Sequence, residues 1–420
     1  MTLTNDPPKT LEPHRQETNA VTHSTQPGVS VPRTLVISDR YLPEVGGSFT
    51  WFHNVYSRHP PGSVHFLTNS YPDAAAIDAT YPQIRMHRVS LKRYRLLKPE
   101  SLAIYAKLFT LGAWICLRHG IEVIHAGKNL PEGFIARKLS KLLRIPYIVY
   151  AHGEEITVFG RNPKLRPHLP AIYEDAAAVI ANSAFTCDQI MDLGVSTERF
   201  SRISPGVEPD EFVPSSSGEA LRRRLGLEGK LVLLTVGRLQ RRKGHDQVIA
   251  ALPAILARAP GMVYVIAGDG EERKALEDLA RDTGVASAVR FLGRVPQEEL
   301  PALYNLADIF IMANRAMPDG DVEGFGIVFL EAGACKKPVI AGSSGGTADA
   351  VEDGLTGLRV DANPTVAIED AVVRLALDPE LRERMGEAGR SRVLAEYSWA
   401  AITAKTMDLS RRVVRDRSRS

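Results

Sequence analysis

"DVEGFGIVFLEAGACKKPVIAGS", residues 321–343, sets an almost wholly apolar run between two glutamates, Glu323 and Glu331, and follows it with a second apolar run. Gly324 and Gly326 permit a sharp entry, Ile327–Cys335 reads as a helix, and Pro338–Ser343 reads as a strand. A strand with apolar residues in succession is buried on both faces, as in a parallel sheet covered by helices. The stretch is therefore one loop–helix–strand step of an α/β fold.

The same alternation extends in both directions. Strands are predicted at 34–39, 63–68, 121–126, 147–153 and 178–183, then at 231–238, 263–270, 289–295, 309–314 and 338–343, with helical patterns between most of them. Two such sets predict two doubly wound parallel sheets. Residues 204–230 gather Pro, Gly, Ser and charge, which places a boundary near Pro205. Two Rossmann-like domains, 31–205 and 206–395, are then expected to face each other across a cleft, because ligands of open α/β sheets sit outside the carboxyl ends of the strands.

Composition agrees with that frame and narrows the function. A chain of 420 residues with 44% hydrophobic and 24% charged residues suits a globular protein of two domains. A net charge of +3 is too mild to imply nucleic acid. Cys116, Cys187 and Cys335 are too scattered for a disulfide framework or a metal knuckle, so a reducing cytoplasm is expected. Residues 1–30 lack an apolar core and read as a disordered lead and not as a signal peptide. The apolar run Leu102–Leu117 contains Lys107 and is too short to span a bilayer, which takes about 20 residues.

The loops at the strand ends carry the chemistry. In "SDRYLPEVGGSFTW", Gly46 and Gly47 precede a helix, where backbone N–H groups can approach a phosphate; a plain tight turn is the alternative. The G-x-G-x-x-G spacing of a dinucleotide site occurs nowhere, which argues against a dehydrogenase. "VGRLQRRKGHD" places Arg238, Arg241, Arg242 and Lys243 at a strand's carboxyl end, where guanidinium and ammonium groups suit a departing diphosphate. "AHGEE" delivers His152, with Glu154 and Glu155, for contact with a sugar or an acceptor hydroxyl, unless the histidine is structural. Glu331, inside the helix, needs hydrogen-bond donors, which the vicinal hydroxyls of a ribose would supply, while Glu323 faces what lies beyond the diphosphate.

These motifs, in order "PEVGG", "AHGEE", "SPGVEPDEF", "VGRLQRRKG", "AGDGEE", "EGFGIVFLE" and "YSW", resemble those of the retaining glycosyltransferases of family 4, over roughly residues 33–405. The resemblance implies the GT-B fold and transfer of a hexose from a nucleotide diphosphate sugar. It assigns Glu323 to the donor sugar, Glu331 to the ribose, Arg238 and Lys243 to the diphosphate, and His152 to the sugar and acceptor. The Gly46–Gly47 loop and the Gly324–Phe325–Gly326 backbone complete the donor site. It also implies that residues 396–420 form a helix returning to the N-terminal domain, with a basic tail.

"DVEGFGIVFLEA" followed by "PVIAGSSGG" is similar to bacterial α-mannosyltransferases acting on phosphatidylinositol mannosides, which favours GDP-mannose. A UDP-glucose or UDP-N-acetylglucosamine donor, and a nucleotide-sugar epimerase of the same architecture, stay open alternatives. No cofactor is expected. Asp319-Gly-Asp321 reads as an acidic loop and not as a metal site, with transfer insensitive to EDTA. The stretch 84–101, with Arg85, Arg88, Lys92, Arg93, Arg95 and Lys98, reads either as a solvated basic face or as a peripheral contact with anionic membrane on the inner face of the cell. The terminal "RRVVRDRSRS" reads as a disordered tail. The expected partners are the donor and a glycan or lipid-linked acceptor.

Overall fold

A computed structural model of the protein describes residues 31–43, 46–72, 74–91 and 101–418. The lead 1–30, Glu44 and Val45 of the "PEVGG" loop, and Lys92, Arg93, Arg95 and Lys98 of the basic stretch lie outside the described residues.

The strands are β1 (Thr34–Ile37), β2 (Val64–Asn69), β3 (Ile84–Val89), β4 (Val123–Ala126), β5 (Tyr147–Ala151), β6 (Ala178–Ala181) and β7 (Phe200–Arg202), then β8 (Leu231–Val236), β9 (Met262–Ala267), β10 (Val289–Gly293), β11 (Ile309–Met312), β12 (Val339–Gly342) and β13 (Gly357–Val360). They form a seven-stranded sheet ordered β3-β2-β1-β4-β5-β6-β7 and a six-stranded sheet ordered β10-β9-β8-β11-β12-β13. Every pairing within these sheets is parallel, as the continuous apolar runs require.

Successive strand residues enter cores on opposite faces, because side chains alternate across a sheet. Leu35 and Ile37 pack on one side of β1 and Val36 on the other; Leu233 and Leu234 divide in the same way on β8. The two sheets are therefore the cores of two Rossmann-like α/β domains. Both sheets turn in mid-order, between β1 and β4 and between β8 and β11, where the helices switch faces and ligand crevices open.

Strands β3, β7 and β13 were not anticipated. Each is a sheet edge, and an edge strand loses the continuous apolar signature. In β3, "IRMHRV", only Ile84 is fully buried. Arg88, read as a surface charge, forks onto Asp78 at 2.6 and 2.8 Å and also donates to the carbonyls of Leu42 and Asn69. It is a structural arginine.

The C-terminal tail reading is overturned up to Arg417. Residues Trp399–Arg417 form one helix, N-capped by Ser398, whose hydroxyl accepts from Ala401 N–H. Trp399, Ile402, Leu409 and Val413 are buried in the N-terminal core with Trp51, Phe52 and Tyr150, so apolar burial draws the basic segment into order. His125 of β4 fixes the register from below, with one ring nitrogen 2.7 Å from Tyr56 Oη and the other 3.1 Å from Ser410 Oγ.

The chain crosses between the sheets twice, and the two crossings lie side by side. Val207 N–H donates to the Tyr397 carbonyl at 2.9 Å, and Trp399 N–H donates back to Val207 at 3.2 Å.

Candidate active site

The loop after β8 and the loop before the Ile327–Ala334 helix meet at one carboxylate. Glu323 Oε2 accepts from Arg242 Nη1 at 2.8 Å and from Lys243 Nζ. Arg242 also reaches Asp321 Oδ2 at 3.1 Å through Nε. Burial alone would raise the Glu323 carboxyl, but the Lys243 and Arg242 cations hold it below its ordinary value. Lys243 is lowered, first by burial and then by the repulsion of Arg242 and Arg238. Glu323 and Asp321 balance Lys243 and Arg242 in charge, so the excess positive charge that a diphosphate needs comes from Arg238, which acts on the same group.

Arg238 stands at the rim, exposed, beside the glycine loop of the other domain. A Cβ built on Gly46 would lie 3.4 Å from Arg238 Nη2, and one on Gly47 would lie 3.7 Å from Ile327 Cδ1. The loop after β1 thus abuts both the cationic loop and the start of the Ile327–Ala334 helix.

That helix begins at Gly326, whose φ of +93° suits glycine alone at little cost. Gly324 has a different reason. A Cβ there would sit 2.1 Å from the His152 carbonyl oxygen, so only a bare backbone lets the two domains come this close. Ser183 Oγ donates to the Gly324 carbonyl at 3.0 Å, and Ala184 N–H donates to Asp349 Oδ2 at 2.8 Å, closing the same seam. Phe325 turns its ring into the core, 6.0 Å from Tyr397, so a ligand in the cleft meets its backbone and not its ring.

His152 is fixed on the opposite wall. Its Nε2 donates to the Gly127 carbonyl at 2.8 Å, since a carbonyl only accepts. The Trp51 and Phe52 rings meet it edge-on at 5.5 and 5.7 Å. Its backbone N–H donates to Glu155 Oε1 at 2.8 Å, which makes Glu155 a cap of the loop.

Glu331 lies on the Ile327–Ala334 helix and accepts a hydrogen bond from the Tyr304 hydroxyl through Oε2. Burial lifts its carboxyl to about 7, against the lowering effect of that hydrogen bond. Tyr304 escaped the sequence reading because nothing in "LYNLAD" marks it as other than core. Arg242 was noticed only as one of a basic run; its position at a strand's carboxyl end was the available signal. Asn182 and Ser183, at the end of β6, carried the same positional signal: Asn182 Nδ2 donates to the His152 carbonyl at 2.8 Å.

Comparison with known proteins gives the class. The family described as "Glycosyltransferase Family 4" matches residues 61–211, and that described as "Glycosyl transferases group 1" matches residues 218–392. A GDP-mannose-dependent alpha-(1-6)-phosphatidylinositol monomannoside mannosyltransferase of Mycobacterium tuberculosis is 32% identical over 382 residues, 90% of this chain and 98% of that protein. The chain belongs to the family 4 glycosyltransferases. A second relative of this glycosyltransferase, from Corynebacterium glutamicum, is named GDP-mannose-dependent monoacylated alpha-(1-6)-phosphatidylinositol monomannoside mannosyltransferase; it is 31% identical, over 87% of this chain and 94% of its own. Anabaena Alr3699/HepE in complex with UDP is similar in fold, with a TM-score of 0.76 at 19% identity over 90% of this chain and 98% of its own. Sucrose-phosphate synthase from Thermosynechococcus elongatus has a TM-score of 0.71 at 21% identity over 91% of this chain and 99% of its own. The glycosyltransferase thus has the GT-B fold and uses a nucleotide-sugar donor. Among the described residues, no helix is long and apolar enough to cross a membrane.

Proposed function

We propose that the protein transfers mannose from GDP-mannose to a hydroxyl of a phosphatidylinositol mannoside, with retention at the anomeric carbon. Relatives with that donor in their names align over nearly the whole chain, both domains included, and this is the observation that carries the reading. In the donor site, Arg238 and Lys243 hold the diphosphate, Glu331 the ribose hydroxyls and Glu323 the mannose. The backbone of Gly324, Phe325 and Gly326 and the Gly46–Gly47 loop close around it, and His152 lies near the sugar and the acceptor.

The acceptor oxygen attacks the anomeric carbon from the face that the diphosphate leaves. The new C1–O bond forms as the C1–O bond to phosphate breaks, and the acceptor's proton passes to the departing phosphate oxygen. The protein contributes position and charge, with the cations matched to the growing negative charge. No metal takes part, so EDTA leaves the rate unchanged. The domain boundary falls near Pro205, just before the crossing at Val207. Contact with anionic membrane is supported by exposed Leu102, Trp114 and Leu117 on the Ser101–His119 helix, directly after the basic stretch.

The test offers radiolabelled GDP-mannose, UDP-glucose and UDP-N-acetylglucosamine, each with and without phosphatidylinositol monomannoside. An α-linked product only from GDP-mannose and only with the lipid is expected. Transfer from a UDP-sugar alone, or conversion of the donor without acceptor, would overturn the reading.

A further inference from the structure

We propose that His65, His87 and His119 form a binding site for a divalent transition-metal ion, zinc first, at the outer edge of the N-terminal sheet. One ring nitrogen from each of the three lies within 4.8 Å of the others. His65 Nδ1 and His87 Nε2 are already 3.0 Å apart. Three nitrogens bound at about 2.0–2.1 Å to a tetrahedral ion are separated by little more than that, so small side-chain rotations complete the set.

The backbone brings these residues together for reasons unrelated to the donor cleft. In the β2–β3 register, His65 pairs with Arg85 and Leu67 with His87, so the two histidines are diagonal neighbours on one sheet face. The Ser101–His119 helix covers that face, its Leu108 and Ile115 packing in one core with Leu67. The helix ends with His119, whose ring centroid is 4.3 Å from that of His65 and 5.8 Å from that of His87. Trp114 walls the group, edge-on to His87 and His119 at 6.3 and 5.8 Å.

The chemistry of the set selects the ion. Arg33, Arg85 and Arg118 are the charged groups around these rings. Facing His65 and His87, one ring exchanges tautomers so that both inner nitrogens present lone pairs. An all-imidazole set suits zinc, copper or nickel and offers nothing to magnesium or calcium, which require oxygen ligands. The arginines also repel a dication, so the site binds more weakly than one backed by carboxylates.

A helix antiparallel to its strands ends at their amino-terminal side, and His65 is the second residue of β2. The site is therefore on the side away from the cleft and would clip the edge strands to the helix end without entering the transfer reaction.

The test uses the full-length protein, stripped with chelator and dialysed. Titration with Zn2+ should show one equivalent bound per chain and a rise in Tm, and Co2+ should give the visible absorption of a tetrahedral ion. His87→Gln and His119→Gln should each weaken Zn2+ binding at least about 100-fold with transfer activity retained. Exposed His168, replaced by Gln, should leave binding unchanged. Absence of stoichiometric binding in the unmodified protein, or full binding by both variants, would overturn the proposal.

Discussion

Glu323, Lys243 and Arg242 answer the question posed by a carboxylate beside an apolar run. Glu323 is only 12% exposed, and a charge that buried persists only with cationic partners. Removing a cation should therefore affect transfer by altering the field at the diphosphate. Arg238→Ala and Lys243→Ala are each expected to lower kcat/KM about 10²–10³-fold. Arg238 is exposed and, among the described residues, its side chain makes no ion pair, so its variant should melt at the parent temperature; parallel kinetics and thermal denaturation check both statements. Unchanged transfer in both variants would remove them from the donor site.

Glu331 makes a second prediction at this scale. Its carboxyl is raised from 4.5 to about 7, so in the free protein this group makes the fold less stable as pH rises from about 4.5 to about 7. Ribose hydroxyls donating to the carboxylate would pull that value down, and binding would then release a proton. GDP affinity should accordingly rise about tenfold from pH 6 to pH 8, and Glu331→Gln should abolish the slope. Calorimetry in buffers of different ionisation enthalpy reads both.

At the scale of elements, the strand–loop–helix alternation was legible because buried parallel strands are continuous apolar runs. β5, "YIVYA", and β9, "MVYVIA", are buried along their whole length. Of the four edges only β10 was legible, as the strand predicted at 289–295; β3 and β7 satisfy only one neighbour and can carry arginines. The loop entering the Ile327–Ala334 helix could be read as glycine-rich, but not which glycine mattered for which contact. Gly324→Ala should now separate them: its Cβ meets the His152 carbonyl and forces the domains apart. A fall in turnover of about 100-fold is expected, with GDP binding retained and a larger radius of gyration by X-ray scattering. A variant as compact and as active as the parent would contradict this account.

On the scale of the whole molecule, the returning helix makes the N-terminal core depend on the far end of the chain. Trp399 is 3% exposed within that core, and Trp399→Ala should cost about 3–5 kcal/mol, read as a shift in the denaturant midpoint of the N-terminal domain. An unchanged midpoint would mean that the helix is dispensable.

The sequence by itself determined the two-sheet α/β architecture, the cationic loop at the end of β8 and the glycine-flanked pair of glutamates. Each is a local matter of periodicity, strand ends and permitted φ. Only the tertiary structure decided that Arg242 joins Lys243 on Glu323, that Tyr304 donates to Glu331, and that Ser410 reaches His125. These partners stand 81, 27 and 285 residues apart, and no local preference encodes them. Their meeting follows from how helices pack on sheets, because a buried polar atom takes whichever partner that packing brings within reach.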